Sequence, residues 1–227
     1  MSPPTSEPIS SNGGPERRPL KTRGRRWAGA LAGRVARAGV QPNQISLFSL
    51  VFAAVAGACL VATGGREGAV AAGLWVGAAL AIQLRLLCNM LDGMVAVEGG
   101  LRSKSGEIYN ELPDRFADVM ILVAAGYSHP SPDYLPVLGW IAAVLAVITA
   151  YVRALGVAAG ASQYFLGPMA KPHRMAVLTA ASLVNAPLLS FAGTFSVVPA
   201  ALWVIVMGCV LTILRRTVRI IQELEAK

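Results

Sequence analysis

Charge is scarce in this chain. Only 14% of its 227 residues are Asp, Glu, Lys or Arg, against 55% hydrophobic. A globular domain carries roughly 25% charged residues, because its surface must face water. So few charges cannot clothe a water-facing surface, which excludes an ordinary soluble domain and a mainly disordered chain alike. Cysteine is nearly absent too. Cys59, Cys88 and Cys209 stand singly in apolar runs, which excludes a disulfide framework and a cysteine-built structural zinc site. The sequence has no Gly-rich phosphate loop of the P-loop type, no Ser-His-Asp candidate and no nucleic-acid motif. No apolar stretch follows the first basic residues within 20 positions, so no secretory signal is expected.

What the chain does have is apolar length. A membrane-crossing helix needs about 20 apolar residues at 1.5 Å rise each. Six runs approach or meet that need, at about 45–63, 69–88, 116–128, 136–157, 175–193 and 197–214. The third is short unless its helix begins near Glu107, which brings several acids to its end. The last two are joined by only a few residues near Thr194, as in a helical hairpin. The expected fold is all-α, an integral membrane bundle of six transmembrane helices. Residues 1–40 read as a disordered basic arm and 41–227 as the membrane domain. Within the arm, Trp27 to Val40 mixes Ala, Leu and Val with Arg34 and Arg37. This stretch is either a short amphipathic helix on the bilayer surface or a plain linker.

Charge sets the orientation. The net charge of +8 hides a basic arm, with eight Lys and Arg before residue 38, and an acidic cluster, with six acids between Asp92 and Asp118. Basic residues mark the cytoplasmic side of a membrane protein. They occur in the arm, after the second run (Arg102, Lys104), after the fourth (Lys171, Arg174) and in the tail (Arg215, Arg216, Arg219, Lys227). The opposite loops hold Arg66 alone. Both termini are therefore expected in the cytoplasm. The basic arm fits an anionic lipid surface better than nucleic acid. His129, beside Pro130 in an outer loop, is expected to lie far from any site on the cytoplasmic side.

A carboxylate inside or at the edge of a membrane segment is costly and suggests function. Asn89, Asp92 and Ala96 are spaced i, i+3, i+7, on one helical face. Gly106, Asn110, Asp114 and Asp118 recur at intervals of four, again on one face, with Glu107 inside that arc and Glu111 at its rim. Two such helix ends facing each other present oxygen ligands from both sides. Oxygen donors suit a hard cation such as Mg²⁺, Mn²⁺ or Ca²⁺ rather than zinc. Gly93, Ala96 and Gly106 are small where a bulky group must approach the backbone. The combination suits a phosphate ester bridged to protein through metal.

Asp92-Gly93-x-x-Ala96-Val97, eight residues, then Gly106-x-x-x-Asn110-x-x-x-Asp114 resembles the signature of the CDP-alcohol phosphotransferase family. That signature reads D-x-x-D-G-x-x-A-R, eight residues, G-x-x-x-D-x-x-x-D. The spacing matches throughout, and Pro42-Asn43-x-x-Ser46 is similar to the family's Pro-Asn-x-x-Thr before its first helix. Three positions depart: Asn89 and Asn110 stand where acids are expected, and Val97 replaces the Arg.

The resemblance implies six membrane helices with a cytoplasmic site. It implies attack by an acceptor hydroxyl on the phosphorus of a CDP-linked lipid or alcohol, with CMP leaving. It implies Mg²⁺ or Mn²⁺ held by Asp92 and Asp114 with Asn89 and Asn110, and Asp114 as general base. Gly93, Ala96 and Gly106 would then line the donor. Each amide removes a charge from the metal site; Glu107 and Asp118 restore it if the geometry has shifted by part of a turn.

Arg153, Lys171, His173 and Arg174 resemble the residues that hold an acceptor's phosphate in the family, the last three as a compact basic loop. They also fit a plainer role as positive-inside anchors. Arg85 shares the face of Asn89 and Asp92, one to two turns deeper. It pairs with Asp92, replaces the charge lost at Val97, or snorkels. The implied partners are a CDP-linked lipid donor, a free or phosphorylated alcohol and the bilayer of a bacterial cytoplasmic membrane. Family enzymes are often homodimers, and the Ala- and Gly-rich helices allow close packing within one chain or between two. A non-catalytic CDP-lipid-binding or scaffolding protein of the same fold is the alternative, since two acids have become amides.

Overall fold

The computed structural model describes residues 26–98, 105–192 and 195–227. Within these residues the chain forms seven helices: α1 (Arg26–Arg37), α2 (Pro42–Val61), α3 (Gly68–Glu98), α4 (Gly106–Gly126), α5 (Leu135–Ala158), α6 (Lys171–Ala192) and α7 (Val198–Glu225). The six apolar runs correspond to α2 through α7. The third run reaches full length because α4 starts at Gly106, taking the acids into its first half. Proline opens rather than breaks several of these helices. Pro stands in the first two positions of α2, α5 and α7, where a missing N–H costs nothing.

Helices α2 to α7 close into a ring. α3 packs on α2 and α6, α6 on α7, α7 on α5, α5 on α4, and α4 back on α2. The core is built largely of small residues, with Ala53, Ala56, Ala117, Ala125, Ala142 and Ala146 all fully buried. Trp75, Ile82, Leu122, Leu202 and Ile205 fill the remaining space. Small side chains let helix backbones approach closely, the main device of packing where lipid removes the hydrophobic drive. The closest approach is at the α4–α5 corner. A Cβ on Gly139 would lie 2.9 Å from Gly126 Cα and 2.9 Å from Leu122 O.

The outside of the ring is apolar as well. Leu80, Val137, Val144, Val204 and Met207 are each more than half exposed. In water such a surface would aggregate; against lipid it is the expected one. Four helices are long and apolar enough to cross a membrane: α2, α3 through Val97, α5 and α7. α4 carries Glu107, Glu111, Asp114, Arg115 and Asp118, while α6 opens with Lys171, His173 and Arg174.

The stretch Trp27 to Val40 is helical up to Arg37 and packed. Ala28 and Ala32 of α1 join Ile45, Met90, Leu91, Met94 and Val95 in a small apolar cluster against α3. The rest of the expected basic arm, residues 1–25, lies outside the described residues, as do Arg102 and Lys104.

The segment 159–170 between α5 and α6 is fastened to α7. Arg216 Nε donates to Leu166 O at 2.8 Å, and Met169 N–H donates to Thr212 Oγ1 at 3.0 Å. Gly167 has φ +112°, and a Cβ there would fall 2.5 Å from Thr212 Cγ2. Only glycine fits both the backbone angle and the space. This fastening fixes where α6 begins, and hence where Lys171 stands.

Candidate active site

Spacing along three helices assembles the site. Arg85, Asn89 and Asp92 share a face of α3, Asp114 and Asp118 a face of α4, and Lys171 and Arg174 the first turn of α6. The ring order places α3 between α2 and α6, with α4 across α2, so these faces converge.

The deepest layer is Asp118. Its Oδ1 lies 2.9 Å from Arg85 Nη2 and its Oδ2 lies 2.6 Å from Arg174 Nη2, with all three side chains at most 1% exposed. Arg174 Nη1 also donates to Met169 O at 2.9 Å. One helical turn away, Asp114 accepts from Asn89 Nδ2 and Lys171 Nζ. Arg85 Nη2 donates to its backbone oxygen at 3.1 Å and stands 3.3 Å from its Oδ1. Arg115 Nη2 is more distant, 3.8 Å from Oδ2.

Asp92 completes the group from α3. Ser46 Oγ, in the first turn of α2, donates to Asp92 Oδ2 at 2.5 Å. Its other oxygen, Oδ1, is buried without a side-chain hydrogen-bond partner among the described residues. Asp114 and Lys171 lie within electrostatic range of it. Three carboxylates (Asp92, Asp114, Asp118) thus face three buried or half-buried cations (Arg85, Lys171, Arg174). Charges withdrawn from water must be matched in this way.

The other sequence candidates are placed as follows. Gly93 is buried and Ala96 half-buried on α3, Gly106 opens α4, and Asn110 is half-buried on the Asp114 face. Glu107 does not join Asp92 and Asp114. It lines an apolar groove of about 880 Å³ between α4 and α5, together with Glu111, Arg115, Tyr151 and Arg153. Arg153 pairs there with Glu111 at 2.7 Å and stacks over Phe165 at 5.4 Å. Asp118 is occupied on both oxygens by arginine. Lys171, His173 and Arg174 are the first turn of a helix rather than a loop, because Pro172 falls at a helix start where proline is tolerated. His173 is exposed.

Sequence reasoning missed two residues. Ser46 drew notice only as part of a helix lead-in, although a hydroxyl one turn into α2 can reach a neighbouring acid. In sequence Arg216 reads as a basic residue of the tail. It is 5% exposed and donates to Thr149 O at 2.6 Å, because α7 continues unbroken to Glu225. Arg85 is settled as an ion-pair residue of Asp118 and Asp114, fully buried and not snorkelling.

The chain is 30% identical over 185 residues to the phosphatidylinositol phosphate synthase of Mycolicibacterium smegmatis, covering 79% of this chain and 77% of that one. It belongs to the CDP-alcohol phosphotransferase family. Membership makes it a transferase of phospholipid synthesis, of the CDP-alcohol phosphotransferase type. The phosphatidylinositol phosphate synthase of Corynebacterium glutamicum is 28% identical over 183 residues, with the same coverage. No family model matches the chain.

Solved structures share the fold. The Mycobacterium tuberculosis phosphatidylinositol phosphate synthase with CDP-DAG bound superposes with a TM-score of 0.70 at 18% identity, over 86% of this chain and 94% of that one. The same enzyme in complex with manganese and citrate gives 0.69, over 85% and 88%. Within the family frame, the two helices that carry the signature are α3 and α4.

The family implies a divalent cation, and the residues present fit one. Asp92 and Asp114 are hard oxygen donors, and Asp92 Oδ1 is a buried carboxylate oxygen that no side chain among the described residues satisfies. Among the described residues no three His, Cys, Asp or Glu side chains come together as a metal cage. Two carboxylates are nonetheless the usual protein share for Mg²⁺ or Mn²⁺ when substrate phosphates complete the shell.

Proposed function

We propose that this protein transfers a phosphatidyl group from a CDP-diacylglycerol donor to a phosphorylated alcohol and releases CMP. The observation that carries the reading is the pairing of Asp92 and Asp114 across α3 and α4 at the family's signature spacing, inside a bundle whose relatives are phosphatidylinositol phosphate synthases. The reaction forms a bond between the acceptor oxygen and the lipid phosphorus and breaks the bond from that phosphorus to CMP. The hydroxyl proton passes to Asp114.

Asp92 and Asp114 are the residues to hold Mg²⁺ or Mn²⁺, with Asn89 and Asn110 as neutral neighbours. When bound, such an ion neutralises charge on the phosphates of the donor. Ser46 holds Asp92 in place through its hydrogen bond. Gly93, Ala96 and Gly106 leave room beside the backbone for the donor's headgroup. Lys171 and Arg174 supply positive charge next to the acids, and Arg153 supplies it at the groove. That charge favours an acceptor carrying a phosphate of its own. The relatives' name makes inositol phosphate the first acceptor to try.

The protein is read as a six-span membrane domain preceded by a basic arm, with the site on the cytoplasmic face of a bacterial membrane. Support comes from the basic residues at one set of loops, and from α4 and α6 packing in the same ring as the four helices apolar enough to span.

The test is CMP release by purified protein in detergent with CDP-diacylglycerol, Mg²⁺ or Mn²⁺, and a panel of free and phosphorylated alcohols. Release with one phosphorylated acceptor, lost in Asp114→Asn, is the expected result. Silence across the panel with the donor still bound would overturn it in favour of a CDP-lipid-binding member.

A further inference from the structure

Lys171 takes up a cation position at Asp114. Its ammonium donates to Oδ2, while Asn89 and Arg85 take Oδ1. Both oxygens of the carboxylate expected to bind metal and accept the proton are therefore engaged by the protein itself. The three cations of the cluster are unequal. Arg85 and Arg174 are buried, at 0% and 1% side-chain exposure, and both are held by Asp118. Lys171 is 22% exposed and, among the described residues, has Asp114 as its one acid within salt-bridge distance. It ends a four-carbon stem with a compact charge that can rotate to solvent, unlike a planar guanidinium locked between partners. The arginines neutralise Asp118 whatever happens above them. The lysine neutralises Asp114 only while it stays.

We propose that Lys171 is a displaceable internal counter-ion: it and a divalent cation exclude each other at Asp114, and metal binding drives the ammonium outward to meet an anionic phosphate. The inference rests on the reading of Asp92 and Asp114 as the metal pair. A carboxylate oxygen already holding an ammonium is a poor ligand for a doubly charged ion, because the two cations repel at contact distance. Without metal, the ammonium spares Asp114 an unpaired charge in a buried place. With metal, the freed ammonium sits one side-chain length from the site, where an acceptor's phosphate can take it.

The test is Mn²⁺ binding by the purified full-length protein in detergent, without lipid substrate, followed by electron paramagnetic resonance of free Mn²⁺. Lys171→Gln is expected to bind Mn²⁺ about tenfold more tightly than the native protein, since one competing charge is gone. The double variant Lys171→Gln with Asp114→Asn is expected to lose that gain. Equal or weaker binding by Lys171→Gln, or a gain that survives in the double variant, would overturn the proposal. A second measurement uses the unmodified protein, so folding of a variant cannot obscure the result. Acylation of Lys171 by acetic anhydride, read by mass spectrometry, should speed up several-fold at saturating Mn²⁺; an unchanged rate overturns the proposal. CMP release separates this from the broader reading. Active protein whose Lys171→Gln variant gains no Mn²⁺ affinity sinks the counter-ion alone. Inactive protein whose variant gains it leaves the counter-ion standing and sinks the transferase reading.

Discussion

Arg85 and Asp118 form the floor of the site: one guanidinium nitrogen lies 2.9 Å from Asp118 Oδ1 and, a helical turn away, 3.1 Å from the backbone oxygen of Asp114. The same nitrogen ties α3 to two successive turns of α4. Arg174 closes the arrangement from α6 at 2.6 Å. Three helices of the ring thus meet at one carboxylate that has no oxygen left for metal. Its work is structural and electrostatic, holding the more accessible Asp114 and Asp92 in register.

Asp118→Asn should therefore unfold the bundle rather than alter the chemistry. It leaves two buried guanidinium groups short of a counter-charge, a change that costs about 3–5 kcal/mol. The expected outcome is a large drop in melting temperature in detergent. Mn²⁺ affinity of the protein that remains folded should fall far less than in Asp114→Asn. Loss of Mn²⁺ binding at native melting temperature would make Asp118 a ligand instead.

Asp114→Asn and Glu107→Gln should behave oppositely. Asp114 sits 5% exposed at the meeting of α3, α4 and α6, whereas Glu107 lines the groove between α4 and α5. Removing a general base lowers the rate by roughly 10²–10⁴-fold, so CMP release should fall by that order in Asp114→Asn. In Glu107→Gln it should stay near the native rate, because among the described residues no contact connects that side chain to Asp92 or Asp114. A dead Glu107→Gln would return Glu107 to the metal site.

The difference between those two acids shows what a sequence can convey here. Local periodicity is written in the chain, so the six apolar runs and the i, i+4 row of Asp114 and Asp118 could be read directly. Which helices become neighbours is not written there. The pairing of Arg85 and Arg174 with Asp118 needs α3, α4 and α6 to converge, and no spacing along one helix reveals it. Arc membership likewise put Glu107 with the acids, although the α4–α5 groove takes it. Lys171 to Arg174 reads as a loop because Pro172 lies within it and Pro168 just before it. Proline in the first turn of a helix looks the same in sequence as proline in a turn.

The α4–α5 corner gives a test independent of chemistry. A Cβ on Gly139 meets only backbone atoms within 3.1 Å, namely Gly126 Cα, Leu122 O and Gly126 N. Backbone cannot rotate aside, so Gly139→Ala should push the helices apart and cost about 1–3 kcal/mol, as overpacking does. Gly73 in α3 meets nothing within 4 Å. Gly73→Ala should stabilise by about 0.4–1 kcal/mol through the unfolded chain. Thermal melts of the two variants in one detergent should move in opposite directions.

Ser46→Ala probes the other anionic donor. Ser46 Oγ donates to Asp92 Oδ2 at 2.5 Å from the first turn of α2, and Asp92 has no other side-chain donor among the described residues. Removing the hydroxyl frees the carboxylate to rotate and leaves Oδ2 buried without its side-chain partner. Partners that orient a metal ligand are worth roughly 10–100-fold in metal affinity or activity. Mn²⁺ titration of Ser46→Ala should show a loss of that size, with the Mn²⁺ concentration needed for half-maximal CMP release rising in step. Ser46→Thr keeps the hydroxyl and should restore both. If alanine instead left Mn²⁺ affinity at the native value, Asp92 would be held by something other than Ser46, or would not be a ligand at all. Those two cases separate on Asp92→Asn, which weakens Mn²⁺ binding only if the carboxylate itself carries the ion.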